Sequence, residues 1–150
     1  MNWNNIKKFH LHPPNQVIKR KDEVLRKYNN LNSKLKLLNI EMHSYLLHTL
    51  FDNSDKLEYI IKENDFPYLL KDNIKHYVIW YNPLHKKYKK YETDINYNSY
   101  LILEAIKNSK LFDNLFKQKK YNYDNICYFE NNNSNKSVKN IKHVQLFIKK

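Results

Sequence analysis

His76 and Trp80 lie in the run IKHYVIWY (74–81), separated by Val78 and two flanking residues. In a strand, alternate side chains point the same way, so His76, Val78 and Trp80 share one face with Ile74. An indole face with neighbouring His and Tyr rings can stack a nucleobase, a gain of roughly 1–3 kcal/mol per base. The structural alternative makes Trp80 part of the core, where large aromatics of β-branched strands belong. If the last strand lies alongside, His143 joins this face. An imidazole there could act as an acid/base on a phosphate ester. Its structural alternative is a partly buried, hydrogen-bonded strand residue.

Three further segments, and the single residue Glu130, carry chemistry. Lys136-Ser137-Val138 follows an Asn-rich loop. Backbone N–H groups, the Ser137 hydroxyl and the Lys136 ammonium could together hold a phosphate; otherwise the segment is a solvated hairpin loop. HKKYKKY (85–91) interleaves cations with tyrosines. Its Lys86, Lys87, Lys89 and Lys90 suit phosphates and its rings suit bases, as on a single-stranded nucleic acid; otherwise it is a solvated basic loop. Asp65, ahead of Pro67-Tyr68, is read first as an Asx-turn residue. Either Asp65 or Glu130 could instead accept from the edge of a bound base.

Other chemistries lack support. There is no G-x-S-x-G elbow, and Cys127 sits in a strand expected to be buried. No Cys/His spacing suits zinc, and no cofactor or metal is expected. Zero glycine excludes Gly-rich phosphate loops. It also hands positive-φ positions, helix C-caps among them, to Asn and Asp.

Several elements must position these residues. Residues 1–16 read as an irregular arm, stiffened by Pro13-Pro14 and pinned by Trp3 and Phe9. Helical periodicity predicts a helix over about Val17–Leu38 and another over Met42–Phe51. Strands are predicted at 57–64, 74–81, 125–131 and about 142–148, with a helix at about Tyr97–Asn108 and a further turn from Leu111 to Phe116. The order α, α, β, β, α, β, β lacks β-α-β alternation. It predicts one α+β domain over 17–150, with a small, mainly antiparallel sheet of about four strands and helices packed on one side.

The chain has 150 residues and a formal net charge of +12. That excess favours polyanions. Equally, only Arg20 and Arg26 among the 27 basic residues are arginines, a lysine bias expected from AT-rich coding. A single cysteine points to a reducing compartment. The N-terminus has no apolar signal region, and no apolar run is long enough to span a bilayer. A soluble, cytoplasmic protein without a membrane partner is expected.

Two segments taken together resemble a known family. Asp65-Phe66-Pro67-Tyr68 followed by Ile74-x-His76-Tyr77-Val78-Ile79-Trp80 is one half. Tyr128-Phe129-Glu130-Asn131, then Lys136-Ser137-Val138 and Ile141-Lys142-His143-Val144, is the other. The pair is similar to the N-acetylglucosamine-induced protein family, of unknown biochemical function, found in fungi and in large DNA viruses of amoebae. The opening HPPNQVIKRKDEVLRKYN resembles its viral branch. Gln145 stands where the family has a second histidine, and Lys136 where it has arginine. The family's H-x-H would put two imidazoles on one strand face, able to bind a metal or protonate a phosphate ester; with Gln145, that two-histidine site is absent here.

These observations predict a pocket lined by Trp80, His76, Lys136, Ser137 and His143. The leading expectation is a non-catalytic viral module binding RNA or a nucleotide, such as an mRNA cap, in the host cytoplasm or viral factory. Alternatives are a small enzyme on a phosphorylated sugar or nucleotide, with His143 as acid/base, and a host-interaction protein with a protein partner and no small ligand.

Overall fold

Alternation in IKHYVIWY makes β2, and β2 organises the molecule. The computed structural model describes residues 1–92, 95–113, 123–132, 135–136, 138 and 140–150. In chain order the elements are α1 (Trp3–Lys7), α2 (Asp22–Leu37), α3 (Met42–Phe51), β1 (Tyr59–Glu63), β2 (Ile74–Tyr81), α4 (Ile95–Asn108), β3 (Ile126–Phe129) and β4 (His143–Lys149). Short 3₁₀ turns occur at Tyr88–Tyr91, Lys110–Phe112 and Tyr123–Asn125. The four strands form one sheet in the order β1-β2-β4-β3, and every pairing is antiparallel. This is the α+β architecture the element order predicts.

Both faces of the sheet are covered, which is why β4 is buried along nearly its whole length rather than alternating. On one face Ile79, Tyr81, Val144, Leu146 and Ile148 pack with Ile102 and Ile106 of α4. On the other, Ile74, Phe147, Cys127 and Phe129 pack with Trp3 and Ile6 of α1. Further along that second face, α2 and α3 stand over Val78 and Trp80. Three helices thus serve one side of the sheet and α4 covers the opposite side, so the helices flank both faces instead of packing on one as expected, because both faces of the sheet carry apolar side chains.

Two boundaries differ from expectation. The N-terminal arm carries a helix, α1, capped by the Asn2 side chain and held by the burial of Trp3 and Ile6. The second helix begins at Asp22, not near Val17. Residues 17–21 are instead tied to the DFPY segment: Ile18 is buried, Lys19 O accepts from Leu69 N–H, and Arg20 Nε donates to Phe66 O. Tertiary contacts there override local periodicity. Starting at Asp22-Glu23 also places two acidic groups at the positive end of the helix.

Asparagine and aspartate do replace glycine at the helix ends. After α2, Asn39 has φ 57°; Asn39 N–H bonds Lys36 O and Ile40 N–H bonds Leu35 O, a Schellman pair. After α3, Asp52 and Asn53 both have φ 53°. No helix among the described residues is long and apolar enough to cross a membrane.

Candidate functional site

Antiparallel pairing sets Trp80 opposite His143, Val78 opposite Gln145 and His76 opposite Phe147. The two motif-bearing segments therefore meet on the inner sheet face. Above them, α2 supplies Tyr28 and Leu31, α3 supplies Met42, Tyr45, Leu46, Thr49 and Leu50, and the DFPY turn supplies Asp65 and Phe66. These groups enclose a cavity of about 180 Å³. A cavity of about 150 Å³ takes benzene, so this one has room for a single planar ring.

His76 is a positioning group. Its Nδ1 accepts from Tyr68 N–H at 3.2 Å, so the proton of the neutral ring is on Nε2. Nε2–H then donates to Gln145 Oε1 at 2.6 Å. The ring stacks on Phe147 at 4.5 Å and lies against Tyr68 at 4.5 Å. Burial pushes the imidazole down to about 3 despite the bond to Gln145, and nearby Arg20 pushes it the same way. His76 fixes the Gln145 amide rather than meeting a ligand.

Trp80 is half-buried and lines the cavity. His143 stacks on it, with centroids 4.7 Å apart and planes 27° apart. His143 Nδ1–H donates to Ile141 O at 2.8 Å, which leaves the Nε2 lone pair. Burial lowers the His143 pKa, so the neutral ring persists.

Arg20 was not singled out from the sequence. Its Nε–H is committed to Phe66 O, and its guanidinium lies over the rings of Tyr28 and Tyr68, at 5.3 and 5.1 Å. It is one of only two arginines in a lysine-biased chain, the signal that would have picked it out. A stacked, hydrogen-bonded guanidinium is a task lysine cannot perform.

The remaining predicted residues lie elsewhere or are engaged. Glu130 bridges Lys136, at 2.6 Å, and Lys142, all three side chains being largely buried. The Lys136 ammonium is thus held by a carboxylate, and neither Lys136 nor Glu130 is among the residues lining the cavity. Ser137 lies outside the described residues. Asp65 is exposed at the cavity rim and pairs with Lys62 at 3.1 Å. The Asx-turn expected of Asp65 is made by its neighbour, since Asn64 Oδ1 accepts from Phe66 N–H at 2.8 Å. In the basic loop, Lys86, Lys87 and Lys89 are exposed, and Lys90 pairs with Glu58 at 2.9 Å. The loop's tyrosines turn inward: Tyr91 stacks on Tyr81 at 4.2 Å and Tyr88 Oη accepts from Lys142 N–H. Lys90 lies over the Tyr91 ring at 4.9 Å, but that ring is buried, and the exposed cations of the loop have no exposed tyrosine face of that loop beside them. No group of three His, Cys, Asp or Glu among the described residues could hold a metal ion.

Fold and site together define an α+β protein with a ring-sized, aromatic-lined cavity between an antiparallel sheet and a pair of helices. The chain belongs to the family described as "Protein of unknown function (DUF3605)", which it matches over residues 2–149. Comparison with curated proteins finds no match. A crystal structure of a protein called HTC1 is similar at 20% identity and a TM-score of 0.59, over 88% of this chain and 76% of that one. At that identity the likeness concerns the fold alone.

Proposed function

We propose that the protein is a non-catalytic module that binds RNA or a nucleotide, taking one base into the cavity against Trp80. One observation carries this reading: a half-buried indole, with His143 stacked on it at 4.7 Å, lines a cavity sized for one planar ring. Stacking on such a platform is tolerant of sequence. The exposed Lys86, Lys87 and Lys89 and the +12 net charge would follow the phosphate backbone. In its specific form the module belongs to the viral branch of the N-acetylglucosamine-induced protein family, as the motif pair and the opening segment suggest, and acts on a modified base such as an mRNA cap in the host cytoplasm or viral factory.

Fluorescence anisotropy with short labelled RNAs, capped and uncapped, tests this across a salt series. Binding with a steep salt slope is expected, and Trp80→Ala should weaken it about 10-fold, the effect of losing one stacked base. Circular dichroism should show the variant folded. Absence of binding at low salt, or full binding by Trp80→Ala, would sink the reading.

A further inference from the structure

The polar groups around the cavity are not a neutral mixture. His76 Nε2–H takes up Gln145 Oε1, so the Gln145 amide presents its NH₂. Gln145 is 6% exposed, lines the cavity, and has no partner for that nitrogen among the described residues. Asn64 follows the same logic. Its Oδ1 is taken by Phe66 N–H, and its Nδ2 lies 3.3 Å from His76 Nε2, which already bears a proton. Two N–H donors cannot bond each other, so this NH₂ is also left to the cavity. Arg20, with Nε committed to Phe66 O, adds its terminal guanidinium nitrogens. Against these three donors stands one buried acceptor, the His143 Nε2 lone pair. The two carboxylates at the rim, Glu63 and Asp65, are paired with Lys75 and Lys62.

We propose that the cavity selects a keto base, one with a ring carbonyl beside a ring N–H as in uracil and guanine, over an amino base. This rests on the nucleotide-binding reading above and adds the chemistry of its edge. The carbonyl meets the Gln145, Asn64 and Arg20 donors, and the ring N–H meets His143 Nε2. Adenine and cytosine reverse that pattern. Along their amino edge the NH₂ faces the donors and the bare ring nitrogen faces the histidine lone pair; cytosine turned to its C2 carbonyl meets the donors but still sets the bare N3 against that lone pair. A free phosphate satisfies the donors too, but not the apolar walls of Leu46, Leu50 and Val78.

A Trp3→Phe background leaves Trp80 as the single tryptophan reporter. Its fluorescence is titrated with uridine, guanosine, cytidine, adenosine and inorganic phosphate. Uridine or guanosine should bind roughly 10-fold or more tightly than cytidine and adenosine, the discrimination of one good base-edge contact. Gln145→Glu, which turns the donor into an acceptor, should narrow or reverse that ranking. Equal quenching by all four nucleosides would overturn the keto selection and leave base stacking intact. Quenching by phosphate in the absence of any nucleoside effect would overturn it in favour of an anion site. No response to any nucleoside, with no RNA bound in the anisotropy series, would remove the nucleotide reading and this inference with it. If Gln145→Glu fails to fold, the nucleoside ranking in the reporter background still decides.

Discussion

Acidification from pH 6.5 towards pH 3 is expected to remove about 4–5 kcal/mol of folding stability through His76 alone. The folded ring is neutral, buried, and protonates only at about 3. In the unfolded chain an ordinary histidine protonates near 6.5. Between those values the unfolded state binds the additional proton, so stability rises with pH across the window and falls as pH drops through it. At about 1.4 kcal/mol for each pH unit, the gap gives the stated loss. His143, pushed the same way by burial, adds to it. His10, lowered to about 4 by burial and by nearby Lys7, adds less because it is only half-buried. Urea unfolding at pH 7, 5 and 4 measures the slope. His76→Gln should be less stable at pH 7, since it loses the stack on Phe147, but should show a much flatter pH dependence. Parallel pH curves for the two proteins would show that His76 is not the group responsible.

Much of the sheet was legible because period-2 alternation is a strong local signal. β2 matches its predicted bounds, Ile74–Tyr81, and the shared face of His76, Val78 and Trp80 followed from it. The approach of His143 to Trp80 needed only the pairing of the last strand with β2. What stayed hidden depends on contacts distant in sequence. α1 spans five residues, below the length at which a helix holds itself together, and exists because the sheet buries Trp3 and Ile6. Arg20 reads as one charge in KRKDE until the DFPY turn folds onto it, 46 residues away. The inward turn of the basic loop's tyrosines has a geometric reason. Tyr88 and Tyr91 are three apart, and in a 3₁₀ turn residues so spaced eclipse on one face, here the inner one. Glu130 and Lys136 each suit a ligand in isolation, and only the fold shows that they satisfy one another.

That pairing leads to the second large effect: Glu130→Gln should cost about 3 kcal/mol. The carboxylate is 15% exposed and sits between two ammonium groups that are 9% and 10% exposed. Replacing it with a neutral amide leaves two like charges close together, each partly removed from water and deprived of the Glu130 carboxylate. Breaking a buried ion pair from one side typically costs about 3–5 kcal/mol. The lower end applies here, because lysine stems can swing their charged heads outward. The lysines anchor the approach to β4: Lys142 directly precedes His143, and its backbone N–H is bonded to Tyr88 Oη. Loss of the carboxylate should therefore loosen the His143–Trp80 stack as well as lower the midpoint of unfolding. Removing the carboxylate together with one of its cations tests the cause. Glu130→Leu with Lys136→Met eliminates the carboxylate and one of the two cations, and replacing a buried pair by apolar groups is often close to neutral. The double variant should be more stable than Glu130→Gln despite carrying more changes. Should it be the less stable of the two, the triad would be contributing net binding energy to the fold, and repulsion between the two lysines would not be the source of the loss.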